Sequence, residues 1–205
     1  MSLVSRLAEK SWETPGASPA VGGSDRPPAA KVVLVLYFGV AAVLFGLVTS
    51  AYLMRMGMPG MGHGEMGGWR PLAEPPLLWA NTITLFLASF AWEAARISAR
   101  RGRQAGIWAF SAGLLGIIFL IGQLMLWREL VAAGHGLRDD PAAAFFYLIT
   151  ALHGVHVLGG LYFWARALLG LGAGPGVALR IQLTATYWHF LLFVWLVMLG
   201  LFVAT

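Results

Sequence analysis

The chain has 205 residues, 59% of them hydrophobic and 11% charged, with a formal net charge of +5 and a mean hydropathy of +0.73. A soluble domain needs roughly a quarter of its residues charged, so the composition excludes one and predicts an integral membrane protein. The lack of cysteine removes disulfides, thiolate metal sites and thiol catalysis, and the basic residues flank apolar runs, where they report topology and not nucleic-acid binding.

Residues 1–31 are expected to form a flexible cytoplasmic tail. Pro15, Pro19, Pro27 and Pro28, with Gly16, Gly22 and Gly23, break any helix there. No apolar run precedes Val32, so an ordinary cleaved signal peptide is not expected. Residues 32–205 then read as an all-α membrane domain. The expectation is a bundle of five transmembrane helices over about 32–54, 77–97, 107–127, 143–168 and 183–204, each near the ~20 residues a bilayer core requires.

The stretch after the first span carries Met56, Met58, Met61, His63 and Met66 among glycines. Thioethers and imidazole suit Cu(I), and this loop falls on the outer side. A glycine-rich loop whose methionines brush a membrane or a partner explains the same residues, and no metal site is assigned. The second span holds Asn81 near its outer end and Glu93 near its inner end, with Arg96 one turn below. Glu93 is expected to be a snorkelling or paired interface residue. Gln123 of the third span falls at the depth of Asn81, which predicts a buried amide pair between neighbouring helices.

The fourth span contains His153 and His156, on one helix face by their i,i+3 spacing, with Gly160 on that same side, and Gly154 and Gly159 are expected to serve helix packing as well. A face of imidazole and glycine admits a second helix closely and offers it hydrogen bonds. The fifth span carries Trp188, His189 and Trp195. At ~1.5 Å rise per residue, His156 and His189 reach nearly the same depth, in the inner half of the membrane. That depth lets them face each other or a shared water, and at least one of His153, His156 and His189, read as interhelical polar residues, is expected to hydrogen-bond across helices or through water. Paired histidines repeated on two helices, the pattern of a haem-binding bundle, are absent from the sequence. No haem is expected on this chain, and no nucleophile–base pair marks a catalytic residue.

Arginines and lysines alternate in density between the two sides. Arg6, Lys10, Arg26, Lys31, Arg96, Arg100, Arg101, Arg103, Arg166 and Arg180 fall on one side, against Arg55, Arg70, Arg128 and Arg138 on the other. The positive-inside rule puts the N-terminus in the cytoplasm and the C-terminus outside.

The segment TALHGVHVLGG, followed one loop later by TYWHFLLFVW, resembles the last two helices of subunit III of haem–copper terminal oxidases. Trp69, Pro71 and the run from Pro76 to Leu85 are similar to the entry of an earlier helix of that subunit, and Phe119 to Gln123 to the next. Ser50, Ala51 and Tyr52 resemble the end of the helix that opens its short, five-helix form. The resemblance covers about residues 32–204.

It implies an accessory subunit in the bacterial inner membrane, part of a proton-translocating respiratory oxidase. Haem and copper would lie in the partner subunits I and II, phospholipid would fill grooves between helices, and no nucleic acid would be involved. The family's usual intramembrane carboxylates are replaced by Ala41, Leu126 and Leu192. An architectural role is therefore expected over direct proton handling. The electron donor, cytochrome c or quinol, is not specified by these residues. Other readings are a partner of nitric oxide reductase, a small channel with a histidine relay, and a free-standing membrane cytochrome.

Overall fold

A computed structural model describes residues 28–57, 75–136, 141–171 and 176–204. They form five helices: α1 (Ala29–Met56), α2 (Pro76–Arg100), α3 (Gly106–Ala132), α4 (Pro141–Leu169) and α5 (Val177–Ala204). Among the described residues there is no strand. Proline supplies three of the entries, at Pro28, at Pro75–Pro76 and at Pro141, where its fixed φ suits a first turn and its missing N–H costs nothing. Two glycines with left-handed backbone close helices, Gly102 at φ 64° after α2 and Gly134 at φ 87° after α3. At each, a 6→1 bond ties the chain back: Arg103 N–H to Ser98 O at 2.9 Å, and His135 N–H to Leu130 O at 3.0 Å.

The helices are longer than the expected spans, most clearly α5, which begins at Val177 and not near 183. Four of the five are long and apolar enough to cross a membrane by length and composition; α2 is not among them. By this measure α2 stands apart from the other four. The physical reason is visible in α2 itself, where Asn81, Thr82, Thr84, Ser89, Glu93, Arg96 and Ser98 dilute the apolar residues. Many hydroxyls in the bundle return to the carbonyl four residues back, as Thr82 does to Leu78 O and Thr184 to Arg180 O, both at 2.9 Å. That removes their cost in an apolar medium.

The core is built by α2 against α3 and α5, with α4 closing on α3 and α5. Trp92, Phe119, Leu126, Trp188, Leu191 and Trp195 are its largest buried members. Helix α1 lies outside this four-helix core and packs against α4 and α5. Only Ala41, Phe45 and Tyr52 of its 28 residues are buried.

Candidate functional site

The polar residues of the bundle sort into three levels. Near the start of α2, Asn81 Nδ2 donates to Gln123 Oε1 at 3.4 Å, across the α2–α3 contact, with both residues buried. Gly122 makes the room: a Cβ there would sit 2.1 Å from Asn81 Oδ1. Trp195 Nε1–H of α5 donates to Thr82 Oγ1 at 3.0 Å, one residue along α2.

In the middle, His153 is fully buried and makes no hydrogen bond to any described group. Its ring is caged by Trp195, Phe119 and Phe45, at centroid distances of 5.2, 5.8 and 6.4 Å. The cross-helix polar contact among the three histidines falls to His189, not to this residue. Apolar rings surround it because α4 turns this face into the layer where Phe119 and Trp195 meet edge to face.

His156 and His189 do not meet either. His156 Nδ1–H donates to Leu152 O, one turn back on its own helix, at 2.7 Å. Its ring lies 5.2 Å from Phe45 and 6.0 Å from Tyr37 of α1. Equal depth placed the two histidines at one level, but the rotation of each helix about its axis turns them to different neighbours.

His189 instead bridges to α2. Ser89 Oγ lies 2.5 Å from its Nδ1, and Glu93 Oε2 lies 3.2 Å from its Nε2. Glu93 Oε1 accepts from Arg96 Nη2 at 2.6 Å. A carboxylate paired with arginine only accepts, so Nε2 carries a proton toward Glu93, and a neutral ring then accepts at Nδ1 from the Ser89 hydroxyl. The result is an ordered chain, serine to imidazole to carboxylate to guanidinium. Ser89 was not singled out in the sequence, although it precedes Glu93 by one turn and so shares its face.

Two of the three α4 glycines pack closely against α5. A Cβ at Gly160 would meet Tyr187, Trp188 and Leu191 of α5 at 3.1–3.4 Å, and one at Gly159 the Tyr187 hydroxyl at 3.1 Å. At Gly154 it would only touch Leu120, at 3.9 Å. The tightest sites lie elsewhere, on α3. A Cβ at Gly113 would fall 2.0 Å from the Trp164 indole and one at Gly116 2.3 Å from the Trp188 ring. Trp164 Nε1–H donates to Ala109 O at 2.8 Å, which seats its ring over Gly113. The repeat Ala109, Ala112, Gly113, Gly116 at helical spacing was the available signal for this face.

Tyr187 ties the layers together. Its hydroxyl donates to His156 O at 2.7 Å, which leaves Tyr37 of α1 to donate to the Tyr187 oxygen at 3.1 Å.

Met56 ends α1 and packs by Tyr52 and Ala142; Met58, Met61, His63 and Met66 lie outside the described residues. Ala41 and Leu126 are buried and Leu192 packs against the core. Among the described residues no group of three or more histidine, aspartate or glutamate side chains converges, and the three imidazoles have separate surroundings.

The family profile described as "Cytochrome c oxidase subunit III" matches residues 35–204, which takes in α2 to α5 and all but the first six residues of α1. The "Probable cytochrome c oxidase subunit 3" of Mycobacterium tuberculosis is 28% identical over 180 residues, covering 84% of this chain and 86% of the relative. The "Cytochrome c oxidase subunit 3" of Corynebacterium diphtheriae is 28% identical over 189 residues, 89% of this chain and 90% of the relative. That of Synechocystis is 30% identical over 198 residues, 90% of this chain and 78% of the relative. A match over this length, on a bundle whose apolar helices read as membrane spans, makes this chain a member of the cytochrome c oxidase subunit III family, an integral membrane component of a haem–copper respiratory oxidase.

Proposed function

We propose that this chain is the accessory subunit III of a haem–copper terminal oxidase, with no redox centre of its own. It stabilises the catalytic subunit and supports proton uptake or oxygen access there, while haem and copper reside in subunits I and II. The observation that carries the non-catalytic part is the state of its intramembrane histidines. One is caged by aromatic rings, one is bonded to its own helix and one to serine and glutamate, so no imidazole pair is free to ligate. The same separation disfavours a three-histidine relay through the bundle.

All five helices cross the bilayer in this reading. Helix α2 tolerates its polar residues because most of them turn to α3 and α5 and not to lipid. The N-terminus is cytoplasmic and the C-terminus external, in a bacterial inner membrane, as the basic loops imply.

Bound phospholipid belongs to this function too. A groove of about 630 Å³ between α1, α4 and α5 has an aromatic wall of Tyr37, Tyr162, Phe163 and Tyr187, with Arg166 and Arg180 toward the cytoplasmic ends of α4 and α5. Arg180 Nη2 already donates to Gly170 O at 3.0 Å, which fixes the guanidinium near the interface where a phosphate would lie.

The test is extraction in mild detergent through a tag on one terminus, followed by identification of the companion chains. The expected result is co-purification of subunits I and II with haem absorbance and oxygen reduction. Recovery of the chain alone, colourless and without companions, overturns the proposal.

A further inference from the structure

The chain of polar groups between α2 and α5 is only partly consumed by the bundle. The side chains of Arg96, Glu93 and His189 keep 29%, 31% and 39% of their surface exposed. All three lie within their helices and not in loops, so the exposure is on the flank of the bundle. Trp92 stacks on Trp188, Ser89 meets His189, and Thr82 meets Trp195, which runs the two helices antiparallel and in register. In that register Phe86, Phe90 and Phe193, all largely exposed, frame the opening on its outer side, and Thr186 is exposed one turn below His189.

We infer that this α2–α5 seam is the docking surface for a membrane-spanning helix of a partner subunit, one presenting an uncharged hydrogen-bonding side chain at the depth of Glu93 and His189. The inference rests on the subunit reading above and adds the surface and the chemistry of what covers it. Acyl chains offer no hydrogen bond, and ionisable groups facing them are costly. Glu93 and Arg96 neutralise one another, so neither brings an unmatched charge to the patch. A charged side chain brought here would be desolvated without a counter-ion, whereas an amide or hydroxyl completes the network. The exposed phenylalanines supply the aromatic anchors that give such a contact its area. The outer face of α1 contrasts with this seam: Val33, Val35, Leu36, Val40, Val43 and Leu47 expose an apolar surface that acyl chains suit.

The test uses the intact complex in native membranes. Phe90 and Phe193 are replaced singly by the photo-reactive p-benzoyl-phenylalanine, with Val40 and Leu47 of α1 as the contrasting positions. The expected result is loss of the free-chain band from the two seam positions into an adduct with a partner subunit. Glu93→Gln is expected to lower retention of the chain on the complex roughly three- to tenfold through a detergent series. Adducts only with lipid, or with a second copy of this chain, overturn the assignment. Co-purification of the partner subunits with no seam adduct overturns the docking surface and leaves the subunit reading intact, whereas failure to co-purify overturns both. If Glu93→Gln disturbs insertion, the photo-adducts in the otherwise unchanged chain decide alone.

Discussion

Helices α1 and α2 are held in opposite ways. Helix α1 has a mean hydropathy of 2.6 in its most apolar window, the highest of the four spanning helices, yet just 11% of that window is buried. Helix α2 is not apolar enough to be counted with them, yet Leu85, Ala88, Trp92 and Ala95 are fully buried and its amide and hydroxyls bond to α3 and α5. In a bilayer, apolarity does not drive helices together, because lipid tails are as apolar as leucine. Close packing over small residues and a few polar contacts do, and α2 has both. Helix α1 keeps contact through rings: Phe38 stacks on Phe190 at 4.3 Å, and Tyr52 meets Phe145 and Phe202 edge to face.

The sharpest way to break this contrast is to fill the glycine sites. Gly116→Ala and Gly113→Ala each force an indole out of place, and are expected to destabilise the bundle by about 1–3 kcal/mol, the usual cost of overpacking. Gly39→Ala and Gly46→Ala on α1 meet nothing within 4 Å, and are expected to leave stability unchanged or slightly raised. Thermal unfolding of the four variants in one detergent checks both halves of the comparison. Comparable losses on α1 and α3 would remove the distinction.

Tyr187→Phe probes the junction between the two regimes. It removes the bond to His156 O and the acceptor of the Tyr37 hydroxyl while keeping the rings that touch Phe38 and Phe163. The expected cost is about 1 kcal/mol. It should appear as easier proteolytic or chemical access to α1, with the four-helix core unmoved; equal loosening of α2 would contradict it.

The smallest effect is expected at the amide pair. Asn81→Leu and Gln123→Leu should each cost roughly 0.6 kcal/mol, typical of an interhelical hydrogen bond in a membrane. The 3.4 Å separation gives no reason to expect more. The double change should cost less than the two added, read from the same unfolding transition. Strict additivity would mean that the two amides do not act on each other.

These residues also show what was legible in the sequence. Depth along a helix can be counted from the rise per residue, so Asn81 and Gln123 could be matched before any coordinates. Depth does not give the rotation of a helix about its axis, and that rotation turns His156 to its own helix and to α1, and His189 to α2. The face of α2 that holds Ser89, Glu93 and Arg96 follows from helical spacing once Glu93 is taken as its centre. The close-packing glycines of α3 were not legible in this way, although Gly113, Gly116 and Gly122, which meet α4, α5 and α2 respectively, carry tighter contacts than Gly154, Gly159 or Gly160. Five helices were legible from hydropathy and proline, but their ends were not, since α5 begins six residues before its most apolar stretch.

The claim at the centre of this account is that the bundle supports an oxidase without holding its redox centres. Detergent stripping of the chain from the purified complex, with visible spectra recorded on both fractions, tests it most directly. The account predicts that the haem bands stay with the remaining subunits, and that the released chain shows only the near-ultraviolet absorbance of its tryptophans and tyrosines. A Soret band leaving with the released chain, in near-stoichiometric amount, would contradict it.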